Sequence, residues 1–356
     1  MADNPDNISE IVDALEPNMF LTSDPELNKQ RRRQVGPAYS LASLRKMEPT
    51  ILATGVQQLL DKWNTAIEQS SDRPKVCYDN DFLMMTFDVI GSLGFGKTQR
   101  SLTAGDLTVV RWVKRSFDMM IMQMATDPES KIRMTPSQVT TEVILTFLAG
   151  ADTNSSTLTW TIHLFMLHPQ HYRRAVDEVR SSFDKDHLIT FDEAKVKLSF
   201  LEACIYESMR IRPVMSSLPR VIPPGGVMLQ GHFIPEGYTC LVAIPAANMN
   251  KDAWDKPHIF NPEWFIGNKE NERNILTFSS GVRFCPGRNL AWIEILTTLA
   301  NLFNAYNFEL PDDALFTPDN LDKHGQPVIM PQKMVFTNGP RFPKRDCQIF
   351  ISKRQK

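Results

Sequence analysis

The feature of the sequence that most constrains its fold is one very long helical pattern. A Thr-Pro-Ser-Gln run at residues 135–138 supplies a capping residue and a proline in the first turn, which is how helices commonly begin. Apolar residues then recur at helical spacing as far as Leu167, and the pattern ends at His168-Pro169 because proline cannot continue a helix. These limits predict a helix of roughly thirty residues, far above the usual length.

The rest of the chain has the pattern of shorter helices followed by short strands. A helix start is predicted at residues 24–26, and further helical patterns cover residues 48–69, 82–93, 107–124, 170–183, 190–198 and 200–211. Between residues 213 and 244, Pro-Gly turns separate short alternating runs typical of strands, and the end of the chain has the same character. We therefore predict a mainly α protein with a minor β-sheet region (α+β), with an irregular N-terminal tail at 1–23 and one domain at 24–356.

Composition argues against several classes of protein. A formal net charge of -2 does not suit general nucleic-acid binding. The five cysteines are odd in number and widely spaced, without a C-x-x-C pair, which favours a reducing compartment over a disulfide framework. No basic segment followed by an apolar one is present at the N-terminus, and no run of about 18 apolar residues occurs. The sequence thus predicts neither a signal peptide nor a transmembrane anchor in this chain.

One cysteine lies in a loop that is suited to binding a large flat ligand. The segment 278–288 places Cys285 between glycines, directly before an apolar-periodic helical pattern. Negative charge on the sulfur would be stabilised there by backbone N–H groups and the helix dipole, which predicts a lowered thiol pKa. Gly281 and Gly287 let the backbone approach a bulky partner, and Arg283 can pair with an anionic group of that partner. A buried free cysteine near a turn is the alternative interpretation.

Three motifs together resemble those of the cytochrome P450 family. The loop fits F-x-x-G-x-R-x-C-x-G, the heme-binding loop of that family, without a mismatch. Glu-Ser-Met-Arg at 207–210 is similar to its E-x-x-R helix, although such i, i+3 pairs are also common on solvated surfaces. Ala-Gly-Ala-Asp-Thr at 149–153 is similar to its oxygen-groove motif, although Asp-Thr in a helix is otherwise an ordinary polar pair. The resemblance implies the cytochrome P450 fold, here incomplete.

The resemblance also implies a cofactor and a role for each matching residue. The cofactor would be heme b, with Cys285 as the ligand of its iron. Asp152 and Thr153 would be catalytic and relay protons, and Glu207 and Arg210 would form a structural ion pair. The remaining cofactor-binding residues would be Arg32, Arg220, Phe278, Arg283 and Gly287. The substrate pocket would be lined by Phe147, Ala151, residues 215–218 and Asn338.

The sequence departs from the family pattern at two positions and is shorter than a complete member. Asn28 fills a slot that usually holds Trp or His, which removes one propionate contact. Trp264 either replaces the Arg of the P-E-R-F or P-E-R-W box or marks a deletion there, which predicts a costly loss of the third partner of the buried ion pair. The early strands and at least one helix over the substrate pocket are predicted to be missing. Strands between residues 215 and 244 would then have an exposed edge.

The function that follows from the resemblance is a heme-thiolate monooxygenase. It would insert one oxygen atom from O2 into a lipophilic small molecule. The motifs resemble those of fungal enzymes of secondary metabolism. Its partners would be that substrate, O2 and an NADPH-dependent flavoprotein reductase, without nucleic acid. Its predicted location is cytoplasmic or peripheral at the endoplasmic reticulum membrane. Two alternatives are a heme-binding protein without monooxygenase turnover and a non-catalytic truncated remnant.

Overall fold

The computed structural model describes residues 16–95, 101–104, 126–335 and 337–355. The helix predicted at 107–124 and residues 1–15 of the predicted tail lie outside this part of the chain. The described α-helices are α1 (Pro25–Val35), α2 (Leu41–Ile51), α3 (Gln58–Gln69), α4 (Tyr78–Phe95), α5 (Ser101–Ala104), α6 (Pro136–Leu167), α7 (Pro169–Ser182), α8 (Phe191–Lys197), α9 (Ser199–Ile211), α10 (Ile244–Asn248), α11 (Lys269–Asn274), α12 (Arg288–Ala305) and α13 (Pro343–Asp346). The fold is therefore mainly helical, as predicted.

The strands are short and form small antiparallel sheets. They are β1 (Lys75–Cys77), β2 (Ser217–Val221), β3 (Val227–Leu229), β4 (His232–Ile234), β5 (Thr239–Ala243), β6 (Tyr306–Glu309), β7 (Gln332–Met334), β8 (Asn338–Pro340) and β9 (Gln348–Lys353). One sheet has the order β1-β9-β6, and β2-β5, β3-β4 and β7-β8 are two-stranded. In the first sheet Phe350 of β9 lies opposite Lys75 of β1 and Glu309 of β6.

The long helix α6 confirms the prediction made from its two ends. Thr135 forms a capping box: its hydroxyl accepts from the Gln138 N–H at 3.2 Å, and the Gln138 side chain accepts from the Thr135 N–H at 3.1 Å. The helix runs for 32 residues and ends at Leu167. It packs most extensively on α4, where a Cβ at Gly150 would lie 2.7 Å from Ile90 Cδ1. The contact between the two helices is therefore tight at Gly150.

The helical segment predicted to begin at residue 48 begins earlier in the structure. The side chain of Ser40 accepts from the Ser43 N–H and caps α2, which begins at Leu41 and carries Pro49 inside it. A π-helical stretch, Leu52–Gln57, joins α2 to α3. A Cβ on Gly55 in this stretch would lie 2.6 Å from Val89, so the widened turn fits against α4.

The core surrounds α6, α9 and α12. Every residue of α9 from Phe200 to Ile211 is buried except Glu202, and α12 is buried from Leu290 to Asn304. Residues 16–23 have no helix or strand but lie against the domain, since the Met19 N–H donates to Glu142 on α6 at 2.8 Å.

The sheets near residues 217–243 present apolar side chains to solvent. Among the described residues β2 and β5 pair only with each other, so both of their outer edges are free, which confirms the predicted exposed edge. Leu241 on β5 is 67% exposed, and Phe233 on β4 is 60% exposed. None of the helices in the described ranges combines the length and hydropathy that a bilayer crossing requires.

Candidate active site

Cys285 lies in a tight loop directly before α12. Its N–H donates to the carbonyl of Phe278 at 2.7 Å, which closes the loop on itself. Burial raises the pKa of the Cys285 thiol, against the opposing effects of the Gly287 N–H, the charge of Arg32 and the Arg288 N–H. The predicted lowering of this pKa is therefore wrong for the thiol as it stands, because desolvation outweighs the helix terminus. The polar groups expected to stabilise a thiolate are nevertheless in place.

The two glycines of the loop have different roles. Gly281 has a φ of +63°, in the left-handed region that favours glycine, and the turn at 281–283 depends on it. Gly287 has a φ of -76°, and a Cβ there would lie 3.8 Å from the Cys285 sulfur. The absence of a side chain at Gly287 thus leaves open space beside the sulfur.

Three of the predicted cofactor-binding arginines gather around this loop. Arg32 Nη1 donates to the carbonyl of Phe284 at 3.0 Å, and its guanidinium lies 5.2 Å from the Phe284 ring centroid. Arg283 Nη2 donates to the carbonyl of Thr22 at 2.8 Å. On the far side of the loop, Arg220 Nη2 donates to the Ser279 hydroxyl at 2.9 Å.

These three arginines lack an anionic partner within the described part of the chain. No carboxylate there forms an ion pair with Arg32, Arg220 or Arg283, although the described residues contain fourteen such pairs. Burial, followed by the charge of Arg283, lowers the pKa of Arg32, and burial followed by the charge of Arg220 lowers the pKa of Arg283. The three arginines repel one another and lie beside the free thiol of Cys285. This arrangement fits a ligand that has two carboxylates and a metal that a thiolate can bind, as heme does.

Asn28 takes a supporting position beneath Arg32. Its amide Nδ2 donates to the carbonyl of Met19 at 2.6 Å, and its Oδ1 accepts from Arg32 Nε at 3.0 Å. The side chain is 3% exposed. Asn28, in the position that usually holds Trp or His, therefore holds Arg32 in place.

Asp152 and Thr153 lie together in the middle of α6 but do not bond to each other. The Thr153 hydroxyl donates to the carbonyl of Ala149 at 2.6 Å, a contact that loosens the helical ladder at this turn. Asp152 Oδ2 instead accepts from the hydroxyl of Thr337, next to β8. Burial raises the pKa of Asp152, and the bond from Thr337 opposes this effect. Sequence reasoning missed Thr337, because nothing local links it to a residue 185 positions away.

The predicted pocket-lining residues divide into two groups. Phe147 and Ala151 are buried, and the carbonyl of Ala151 accepts from the Thr86 hydroxyl of α4 at 3.0 Å. Asn338 is also buried, and its carbonyl accepts from Trp160 Nε1 of α6 at 2.7 Å. Residues 215–218 are half-buried. Residues 215–218 are therefore the more accessible part of the predicted lining.

Glu207 and Arg210 form a fully buried ion pair on α9. Arg210 Nε and Nη2 donate to the two carboxylate oxygens of Glu207 at 2.6 and 2.8 Å, and the Asn261 N–H donates to Glu207 at 2.8 Å. Burial raises the pKa of Glu207, while Arg210 and the Asn261 N–H hold it down. Backbone oxygens supply the remaining partners of Arg210, and the cost of a missing third charged partner stays a prediction. Trp264 lies directly against Arg210.

A further buried carboxyl group was missed by sequence reasoning. Glu294 of α12 accepts from the Asn154 side chain of α6, one residue after Thr153. Its other oxygen, Oε1, is buried without a hydrogen-bond partner among the described residues. Burial raises the pKa of Glu294 to about 8. An acidic residue inside an otherwise apolar helical pattern was the available signal.

Comparison with known proteins identifies the family. The family described as cytochrome P450 matches residues 119–336. The chain is 35% identical over 396 residues to cytochrome P450 monooxygenase helB1 of Aspergillus fumigatus, covering 95% of this chain and 68% of that protein. It is also 35% identical to helB2 of the same organism, covering 94% and 78%. The crystal structure of the cytochrome P450DA heme domain has a TM-score of 0.77 at 20% identity, covering 95% of this chain and 80% of the other.

The fold and the cysteine loop define a heme-thiolate protein, and the sequence matches are to monooxygenases of that class. This chain belongs to the cytochrome P450 family and is a monooxygenase by homology. The alignment with helB1 spans 396 residues whereas the chain has 356, so the relative carries residues inside the aligned region that have no counterpart here. This agrees with the predicted internal shortening.

Proposed function

We propose that this chain binds heme b through Cys285 and inserts one oxygen atom from O2 into a lipophilic small molecule. The observation that carries the proposal is the cluster of Arg32, Arg220 and Arg283 around the cysteine loop, without a carboxylate partner in the described ranges. Heme b has two propionates and one proximal coordination position, and this set of residues offers a partner for each. Phe278 and Gly287 would contact the ring beside the sulfur.

The bound heme-thiolate would supply oxygen activation, because thiolate ligation favours cleavage of the O–O bond. Burial raises the pKa of the Cys285 thiol, so the thiol must lose its proton when the metal binds. The N–H groups of Gly287 and Arg288 and the charge of Arg32 then stabilise the negative sulfur. These same groups oppose the effect of burial, so they would act together with a bound metal ion to stabilise the thiolate.

Proton delivery would use Asp152 and Thr153. The raised pKa of Asp152 lets its carboxyl hold a proton more readily than an exposed aspartate does. The Thr153 hydroxyl donates to the carbonyl of Ala149, so it must leave that bond before it can pass a proton on. The hydrogen bond from the Thr337 hydroxyl holds Asp152 Oδ2 in place beside Thr153 on α6. The relay would therefore depend on a rotation of Thr153, not of Asp152.

The remaining parts of the proposal rest on the family. Electrons would come from an NADPH-dependent flavoprotein reductase, and the named relatives support a role in fungal secondary metabolism. The cytoplasmic or peripheral endoplasmic reticulum location stays a prediction, which fractionation of cells producing the full chain would test.

The decisive experiment is the reduced, carbon-monoxide-bound difference spectrum of the purified protein beside that of Cys285→Ala. We expect a thiolate-type red-shifted band that is absent from the variant. Cys204→Ala, a change at a buried cysteine on α9, is the matched control and should retain the band. A wild-type spectrum without heme, or one typical of a neutral ligand, would reject the proposal in favour of a non-catalytic protein.

If heme binds, reductase, NADPH and candidate lipophilic substrates separate the remaining alternatives. The monooxygenase predicts a product that requires both O2 and reductase. A product formed only with peroxide would instead identify a heme protein that does not work as a monooxygenase.

A further inference from the structure

We infer that Trp264 and Trp254 are positioning residues that hold the buried Arg210 in place of a third charged partner. They lie on the segment that precedes the cysteine loop, away from the predicted cofactor-binding residues. The connection of this aromatic pair to the cysteine rests on the proposed function, whereas its contact with Arg210 does not.

The donors of the Arg210 guanidinium contact five oxygen atoms, and Nη1 also lies 3.9 Å from the sulfur of Met249. Nε and Nη2 bond to Glu207, and Nη2 also reaches the carbonyl of Ile259 at 3.0 Å. Nη1 donates to the carbonyls of Asn248 at 2.9 Å and Pro257 at 2.8 Å. These bonds occupy the edge of the planar group, and its faces are what remain for other contacts.

Aromatic rings lie against this guanidinium. Arg210 Cζ is 4.8 Å from the ring centroid of Trp264 and 5.2 Å from that of Trp254, both within the range of a cation–π interaction. The two indole rings are 5.4 Å apart with an interplanar angle of 44°. Trp254 Nε1 is buried without a hydrogen-bond partner in the described part of the chain, so no polar contact there holds this ring. Packing and the cation are what fix its position.

Charge balance explains why tryptophan suits position 264 better here than a second cation. The Glu207 carboxylate already accepts two bonds from Arg210 and one from the Asn261 N–H. An arginine at 264 would add a second buried positive charge beside Arg210, opposite a single carboxylate that already accepts three bonds. With tryptophan at position 264, the buried cluster holds one positive charge, on Arg210, and one negative charge, on Glu207. The indole ring stabilises the Arg210 cation without adding a further charge.

A continuous series of ring contacts joins the pair to the helix that follows the cysteine. Trp254 lies 5.5 Å from Phe265, which stacks on Tyr206 at 5.5 Å and 14°. Tyr206 in turn contacts Trp292 of α12 at 4.6 Å. Because α12 begins three residues after Cys285, movement of the aromatic pair would be transmitted to the N-terminus that presents the sulfur.

The test compares Trp264→Leu, which removes the π system, with Trp264→Phe, which keeps one. Heme release from the purified protein to excess apomyoglobin is the first readout. We expect release to become about 5- to 30-fold faster in Trp264→Leu, the range that loss of a buried cation–π contact implies, and largely restored in Trp264→Phe. The fraction of the carbon-monoxide complex with the thiolate-type band should fall in the same order.

Trp63→Leu is the matched control, since Trp63 is fully buried and bonds to Asp81, away from this cluster. It should lower the free energy of unfolding without changing the thiolate-type fraction. Equal effects of Trp264→Leu and Trp63→Leu on that fraction would overturn the inference, and so would tighter heme binding in Trp264→Arg.

Urea unfolding of the same purified variants separates this inference from the proposed function. The contact with Arg210 predicts that Trp264→Leu unfolds at lower urea than Trp264→Phe, whatever ligand the sulfur has. A wild type without a thiolate-type band, combined with this order of stabilities, would reject the function and retain the aromatic contact with Arg210. Equal midpoints for the two variants would reject the contact itself.

Discussion

Glu294 is a buried carboxyl group with only one of its two oxygens in use. Asn154 donates to Oε2, whereas Oε1 has no partner among the described residues, and burial raises the pKa of the group to about 8. A neutral acid is the form that such surroundings favour near pH 7. The contact joins α12, which follows the cysteine, to the turn of α6 that carries the predicted proton relay.

This raised pKa predicts a pH dependence of stability. An unfolded glutamate loses its proton near pH 4.3, so between that pH and about 8 only the folded protein holds the proton at Glu294. The free energy of unfolding should fall as pH rises through this window and level off above about pH 8. Glu294→Gln should remove this part of the slope. Between pH 5 and pH 8, the free energy of unfolding of the variant should therefore rise relative to that of the wild type by on the order of a few kcal/mol.

Urea denaturation at several pH values measures this difference. Glu270→Gln, on the exposed helix α11, is the control and should follow the wild-type slope. A Glu294→Gln variant with an unchanged slope would show that the carboxyl is already ionised in the folded protein.

At the scale of elements, the contact between α6 and α4 depends on the missing side chain of Gly150. A Cβ there would lie 2.7 Å from Ile90 Cδ1, the movable end of a side chain. Gly150→Ala should therefore change the free energy of unfolding by less than about 1 kcal/mol, because the gain in helix propensity offsets a small shift of Ile90. Gly150→Leu should lower it by about 1–3 kcal/mol through overpacking.

Thermal or urea unfolding measures both variants, with Gly94→Leu as the control because, among the described residues outside its own helix turn, no atom lies within 4 Å of a Cβ at that position of α4. Ile90→Ala should partly rescue Gly150→Leu by making room. Failure of this rescue, or an equal loss in Gly94→Leu, would contradict the proposed close approach of the two helices.

The elements could be predicted where their signals are local. The capping residues Thr135 and Thr190 marked the starts of α6 and α8 correctly, and in the structure each forms a capping box with a residue in the same turn, Gln138 and Glu193. The predicted start at residue 48 was wrong because the cap of α2, Ser40, lies outside the apolar pattern on which the prediction rested. The motif residues of the site were recognisable from spacing, since each motif lies on one element.

The contacts between elements could not be predicted in this way. The partner of Asp152 is Thr337, which is far along the chain and follows no local rule. The backbone oxygens that satisfy Arg210 come from the end of α10 and from the loop that follows it, whose path the sequence does not specify. The cost of Trp264 cannot be predicted from the sequence for this reason, because it depends on bonds made by a neighbouring segment.

At the scale of the whole molecule, the two-stranded sheets expose an apolar surface formed by Val221, Met228, Phe233 and Leu241. Each of these side chains is more than half exposed. Such a patch favours self-association in water. Phe233→Thr combined with Leu241→Thr should reduce concentration-dependent association, with a change in the free energy of unfolding of less than about 0.5 kcal/mol per substitution.

Sedimentation velocity over a range of protein concentrations measures the association. Val196→Thr is the control, because Val196 is 84% exposed but lies on α8, outside this patch. Association that persists in the double variant, or falls equally in Val196→Thr, would show that a different surface is responsible.

The sheet of β1, β9 and β6 also has a consequence for the order in which the molecule assembles. Phe350 lies between Lys75 and Glu309, so β9 is the strand that β1 and β6 share. A nascent chain leaving the ribosome exposes β1 long before β9 has been synthesised. Pairings between such distant segments form slowly, and until then β1 lacks the strand partner that it has in the folded protein. The sheet is thus completed late, when residues 348–353 pair with both strands.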